Sequence, residues 1–158
     1  MGRGHRHIGF VGEVGRTSAV ADRYYGYIKA LAEARIAFNP AWHINKNVEI
    51  SGDFTLSLND NPPTAFICHC DAAAQWMYAS LANRGLRIPD DVSIASFDNT
   101  AICDTMMPGL TSIGPDKDTY AKKALEAMGI ALETPMQPHE TRIVPRLVER
   151  DSVVKIRE

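Results

Sequence analysis

Ile88-Pro89-Asp90-Asp91-Val92-Ser93-Ile94-Ala95-Ser96-Phe97-Asp98-Asn99-Thr100 is the stretch whose reading decides the fold. Pro89 fixes φ, and Asp90 and Asp91 can bond their own backbone, so the stretch opens on a turn. Val92, Ile94 and Phe97 bracket small residues, the pattern of a strand covered on both faces. Asp98 then leaves the sheet at the carboxyl end of that strand. Open α/β sheets bind ligands along that edge. Other strands that bring polar groups to the same edge would complete a site.

The rest of the chain supplies such strands. His7-Ile8-Gly9-Phe10-Val11 is the first, followed by the loop Gly12-Glu13-Val14-Gly15-Arg16-Thr17. Thr17 or Ser18 can cap a helix whose stripe is Val20, Tyr24, Tyr27, Ile28 and Leu31, ending near Ala34-Arg35. Trp42-His43-Ile44 is a short second strand. In 45–62 Phe54, Leu56 and Leu58 suit a strand better than a helix, and Asn59-Asp60-Asn61-Pro62-Pro63 is a break. Thr64-Ala65-Phe66-Ile67-Cys68-His69-Cys70 is the third strand, and Asp71 can cap a helix whose stripe is Ala73, Trp76, Met77, Ser80 and Leu81. Gly85 suits that helix's end. Strands alternating with helices in this order predict a doubly wound parallel α/β sheet.

Beyond Asp98, Pro108-Gly109 is a turn and Leu110-Thr111-Ser112-Ile113 is extended. Tyr120, Ala124, Leu125, Met128 and Ala131 form the stripe of a helix within 116–133, stopped by Glu133-Thr134-Pro135. Thr141-Arg142-Ile143-Val144-Pro145 and Leu147-Val148-Glu149-Arg150 are two extended pieces, with Pro145 pointing to an edge.

The totals narrow the classes. At 158 residues, 45% hydrophobic and 23% charged, the chain can bury one domain's core. A net charge of -2 gives no electrostatic footprint for nucleic acid or an anionic membrane. Nothing in it reads as a bilayer span. Cys68, Cys70 and Cys103 do not make a disulfide framework, and a reducing cytoplasm is the expected setting. Cys68 and Cys70 share a strand face that His69 opposes, so no metal site is expected there. No cofactor is implied.

Several motifs now resemble one family. Gly4-His5-Arg6-His7-Ile8-Gly9-Phe10, Arg23-Tyr24-Tyr25-Gly26-Tyr27, Pro63-Thr64-Ala65-Phe66-Ile67, Arg84-Gly85-Leu86-Arg87-Ile88-Pro89-Asp90-Asp91-Val92-Ser93-Ile94, Phe97-Asp98-Asn99-Thr100, Pro108-Gly109-Leu110-Thr111-Ser112-Ile113 and Val144-Pro145-Arg146-Leu147-Val148-Glu149-Arg150-Asp151-Ser152 stand in the order found in lac-repressor-type regulators, closest to the purine-repressor branch. The resemblance implies the C-terminal subdomain of a type I periplasmic-binding-protein-like sensor, one wall of a cleft that closes on a small effector. It implies residues 1–113 as that subdomain, 114–140 as a helix completing a missing N-terminal subdomain, and 141–158 as returning crossover strands. The headpiece that binds operator DNA is expected to lie outside this chain. The effector is expected to be a sugar, nucleobase or nucleoside, and the assembly a homodimer.

Asp98 is the first ligand candidate, since a carboxylate at the edge accepts from hydroxyls or ring N–H groups; bonding local backbone is the plainer role. The resemblance places a ligand-binding arginine at Arg23, whose planar fork suits hydroxyl pairs; pairing with Asp22 or another acid is the alternative. Arg16, Thr17 and Ser18 precede the first helix, whose free N–H groups favour polar ligands. The glycines of that loop do not form a phosphate-binding motif. Cys70 stands where many relatives carry asparagine, with Asp71 beside it. Val48 falls in the loop where the family often stacks an aromatic.

Two other functions share the fold: a periplasmic solute-binding protein, and an enzyme using Asp98. The enzyme lacks a partner for Asp98, with no nucleophile elbow, matching lysine or metal cluster, so binding without catalysis is expected. One wall of a cleft should bind its effector weakly. The helix stripe of 116–133 should pack against a second copy.

Overall fold

The strand expected in the opening stretch forms as β4 (Ser93–Phe97), and parallel neighbours enclose it. The structure is a computed structural model that describes residues 2–48, 62–133 and 140–156, with 129–133 described by backbone alone. Beside β4 lies β3 (Ala65–Cys68), then β1 (Ile8–Val11), then β2 (His43–Ile44). On its other side run β5 (Thr111–Gly114) and β6 (Arg146–Val148). Among the described residues the sheet order is β2-β1-β3-β4-β5-β6, parallel throughout except for the antiparallel β6. The expected doubly wound α/β sheet is therefore present. Register pairs Ile8 with Ala65 and Ala65 with Ser93, which keeps Phe66 and Ile94 on one face together.

Each face of a parallel sheet needs a cover. On one face Val11, Phe66, Cys68 and Ile94 pack under α2 (Asp71–Ala82) through Ala73, Ala74, Met77 and Leu81, all fully buried or nearly so. On the other, Phe10 meets Tyr27 and Leu31 of α1 (Ser18–Glu33), and the Tyr27 hydroxyl donates to Ile8 O at 2.7 Å. Burial, then the neighbouring Tyr24, raises the Tyr27 phenol far above its ordinary range. Gly9 makes the close approach of β1 to β3 possible: a Cβ there would lie 2.5 Å from the Phe66 ring and 2.7 Å from Trp42 O.

The helix ends follow local chemistry. Thr17 caps α1 by accepting from Val20 N at 3.3 Å, as expected. Gly85 takes φ 71 after α2, and Leu86 N returns to Leu81 O at 3.0 Å. The cap at the front of α2 departs from expectation. Cys70, not Asp71, is the capping residue, its Sγ accepting from Ala73 N at 3.4 Å, and Asp71 is the first helical residue.

Three other segments differ. Trp42 closes a short 3-10 turn (Pro40–Trp42) before β2, and its ring is buried. Residues 140–145 form no strand; pairing starts at Arg146, because Pro145 lacks the N–H a ladder needs. α3 (Ile102–Thr105) is a single turn. α4 (Lys117–Glu133) forms as predicted, but Tyr120, Leu125 and Met128 of its stripe are 58–68% exposed. Phe54, Leu56, Leu58, the break at Asn59-Asp60-Asn61 and the stop at Thr134-Pro135 lie outside the described residues.

Behind β6 the chain returns along the sheet. Ser152 Oγ donates to Ile94 O at 2.6 Å and accepts from Thr111 N at 2.8 Å. The Arg150 guanidinium donates to Asp104 Oδ1, Leu110 O and Asn99 Oδ1 at 2.8, 2.7 and 3.0 Å. The closing motif thus staples β4, β5 and the loop after β4.

Candidate ligand site at the carboxyl edge of the sheet

From β1 the chain crosses outward to β2 and then to β3 on β1's opposite side, so connections diverge between β1 and β3. That divergence opens a crevice at the carboxyl edge. An open hollow of about 630 Å³ occupies it. The loop after β1 contributes Arg16 and Thr17, the end of β3 contributes His69 and Cys70, and the loop after β4 contributes Asp98 and Thr100.

Two expected residues meet at this edge, Asp98 within the lining of the hollow and Arg23 bonded to it from outside that lining. Arg23 Nη2 donates to Asp98 Oδ1 at 2.8 Å, and Arg23 Nη1 donates to His69 O. The Arg23 Cζ lies 4.9 Å from the Phe97 ring centroid, so the ring's face supports the guanidinium. The acid that pairs with Arg23 is therefore Asp98 rather than Asp22. The pair is only partly buried, with side chains 26% and 40% exposed, and Asp98 lines the hollow with the Arg23 guanidinium bonded to it.

Asp98 and Asn99 take φ 101 and 47, a region that costs residues other than glycine. The turn is held from every side. Asp98 N donates to Ile113 O at 2.7 Å and Asn99 N to Ser112 Oγ at 3.0 Å. Gly114 makes room, since a Cβ there would come within 2.5 Å of Asn99 Cβ and 2.6 Å of Asp98 O.

Beneath the turn Asp71 is 2% exposed. Its Oδ1 accepts from Ser96 Oγ at 2.6 Å and Ser112 Oγ at 2.7 Å; its Oδ2 accepts from Thr100 N at 2.7 Å and Thr100 Oγ1 at 2.8 Å. Burial pushes this carboxyl up, but the bonds from Ser96, Thr100 and Ser112 outweigh it and hold it below the usual carboxylate range. Burial first, then the Asp71 carboxylate, pushes the Cys103 thiol up to about 11. Burial likewise drives Cys68 well upward, so neither is a thiolate near neutrality.

Of the other expected residues, Arg16, Thr17 and Cys70 line the hollow, whereas Ser18 begins α1 outside the lining. The expectation for Val48 needs correction: it is 2% exposed, packs in the α2-side core and is absent from the lining, because an aliphatic side chain gains more there than at a wet edge. Asp71 reaches the floor of the hollow, yet its acceptor sites are taken by protein donors. Sequence reading missed Thr100, His69, Ser96 and Ser112. The two serines carried a signal, since hydroxyls inside apolar strands need a buried partner. Among the described residues no cluster of histidine, cysteine and carboxylate holds metal-ligand geometry, and no helix is long and apolar enough to cross a membrane.

An open, mainly parallel sheet with a crevice at its carboxyl edge is the architecture of a periplasmic-binding-protein-like domain. Residues 1–153 match the family described as periplasmic binding protein-like domain, and the chain belongs to that family. It is 31% identical to the ribose operon repressor of Haemophilus influenzae, over 98% of this chain and 48% of that protein. It is also 31% identical to the HTH-type transcriptional repressor PurR of Vibrio cholerae, over 96% of this chain and 46% of that protein. The chain thus spans about half the length of these relatives. A LacI family transcriptional regulator from Enterococcus faecium with bound ribose shares the fold at TM-score 0.83 and 22% identity, over 99% of this chain and 60% of that one.

Proposed function

We propose that this chain is the effector-sensing part of a LacI-type transcriptional repressor. The Arg23–Asp98 pair carries the reading: a guanidinium and a carboxylate, 2.8 Å apart and partly exposed, the carboxylate lining the hollow, offer donors and acceptors to adjacent hydroxyls or ring N–H groups. The effector is a sugar, or a nucleobase or nucleoside. The relative named as a ribose operon repressor supports the sugar, and the motif resemblance to the purine-repressor branch supports the nucleobase or nucleoside. Arg16, Thr17 and Cys70 complete the wall from the flanking loops. Binding, not turnover, is the activity.

Residues 1–113 form the C-terminal subdomain in this reading, 114–140 belong to the opposite wall, and 141–158 return. The exposed stripe of α4 and the stapling of Arg150 and Ser152 to the sheet support that division. The longer protein acts in the cytoplasm as a homodimer and reaches operator DNA through a headpiece; effector closure changes that affinity.

The test is an NMR titration of this chain with D-ribose, other pentoses and hypoxanthine, following the amides of Arg23, Asp98 and Thr100. Saturable shifts confined to the hollow are expected, with affinity weaker than micromolar because one wall supplies the contacts. Turnover of any of these compounds, or shifts only elsewhere, would overturn the reading.

A further inference from the structure

We propose that Asp71 is a positioning residue of the ligand site, the buried anchor that sets Asp98 and Thr100 at the edge of the hollow. This rests on the reading of the hollow as a ligand site. When ionised, a carboxylate only accepts, so Asp71 dictates the proton direction of every hydroxyl that touches it. Ser112 Oγ donates to Asp71 Oδ1 at 2.7 Å, which leaves its lone pairs free to accept from Asn99 N at 3.0 Å. Thr100 is gripped twice by Oδ2, through its N–H at 2.7 Å and its hydroxyl at 2.8 Å. The residues at φ 101 and 47 that present Asp98 are thereby held from their carboxyl side by one charge. The same charge sits in the first turn of α2, where the helix dipole favours it. The Ser96 bond, at 2.6 Å, goes to β4 itself and not to the turn. The two serines on Oδ1 therefore have different jobs: Ser112 relays to the turn and Ser96 does not.

Asp71→Asn, Ser112→Ala and Ser96→Ala separate these jobs. Amide hydrogen exchange is read at Asn99, Thr100 and Ile94, the last donating to Ser152 O at 2.9 Å as a marker of the sheet. Asp71→Asn is expected to speed exchange at Asn99 and Thr100 about tenfold or more while leaving Ile94 near its original rate. Ser112→Ala is expected to release Asn99, and Ser96→Ala to release neither. D-ribose titration, followed at the Asp98 amide, is expected to weaken about tenfold in Asp71→Asn and in Ser112→Ala but not in Ser96→Ala. Equal acceleration of all three amides in all variants would mean a merely structural role and overturn the proposal, as would an Asp71→Asn chain that keeps both turn amides protected. If Asp71→Asn does not fold, the contrast between Ser112→Ala and Ser96→Ala decides. If the unsubstituted chain shows no ribose response, the sugar reading fails, while the exchange pattern still decides the role of Asp71.

Discussion

Arg23 Nη2 lies 2.8 Å from Asp98 Oδ1, joining the first helix to the end of the fourth strand across 75 residues of chain. Partly exposed pairs of this kind contribute only about 0–1 kcal/mol to stability. Contacts with a bound effector depend on them far more, because a desolvated charge then loses its partner. Asp98→Asn is therefore expected to leave the melting temperature almost unchanged and to weaken ribose or hypoxanthine binding about tenfold or more. Differential scanning calorimetry and NMR titration on the same variant check it. A large stability loss with binding intact would refute the assignment.

Asp98 and Arg23 were legible in the sequence for different reasons. The carboxylate follows a recognisable buried strand, and the strand-edge rule places it at the crevice. Arg23 needed the family resemblance, since a helix arginine alone points nowhere. Their pairing was not legible, because it depends on how α1 and β4 meet in space. Asp71 has the sequence signature of a cap, an aspartate before an apolar run, and only the facing Ser96 and Ser112 show that it turns inward. Loop position alone points Val48 toward the site, whereas its burial follows from packing with the core. The helices α1, α2 and α4 and the succession of strands along the chain were legible from periodicity and breaks, whereas the single turn of α3 was not. The 3-10 turn at Pro40–Trp42 was not, since short turns carry no period.

Gly114 is expected to tolerate no side chain. Its Cβ would meet Asn99 Cβ at 2.5 Å and Asp98 O at 2.6 Å, and neither is the end of a flexible side chain. Gly114→Ala should cost about 1–3 kcal/mol by urea unfolding and displace the turn that presents Asp98. Chemical-shift changes centred on Asp98 and Asn99 check the displacement. Unchanged shifts there would show that the backbone absorbs the methyl elsewhere.

Asp71 gives acid sensitivity of a defined sign. Its folded-state carboxyl lies below the unfolded value of 3.8 because of the bonds from Ser96, Thr100 and Ser112, which prevail over burial. The stability it contributes is fully present above 3.8 and is lost as pH falls through the lower folded value. The gap in unfolding free energy between the natural chain and Asp71→Asn should therefore shrink as pH falls from about 5 to about 2. His43, lowered by burial against the bond to Gly12, adds an earlier loss that begins as pH falls through 6.5 and is common to both chains. Urea unfolding at successive pH values separates the two. A gap that widens toward acid would contradict the ionised, hydrogen-bonded state of Asp71.

Arg150 is expected to be sensitive even to lysine. Its fork reaches Asp104, Leu110 O and Asn99 Oδ1 at 2.8, 2.7 and 3.0 Å, three directions that one ammonium cannot serve. Arg150→Lys should destabilise by about 1–3 kcal/mol in urea unfolding. A stability within experimental error of the natural chain would show that the fork is dispensable.

α4 presents Tyr120, Leu125 and Met128 at 58%, 68% and 63% exposure on one helix. An apolar stripe in water promotes association, and each large side chain contributes about 1.5–3 kcal/mol when covered. In the proposed longer protein the opposite wall of the cleft covers it; in this chain alone a second copy is the available cover. Concentration-dependent association by light scattering is therefore expected, and Leu125→Glu should abolish it without lowering the unfolding midpoint at dilutions where the natural chain is monomeric, because Leu125 is 68% exposed. A chain that stays monomeric at millimolar concentration would show that the stripe is too small to drive pairing. Association that survives Leu125→Glu would move the contact to another face, with Met107 at 89% exposure and Val144 at 83% as the next apolar groups to substitute.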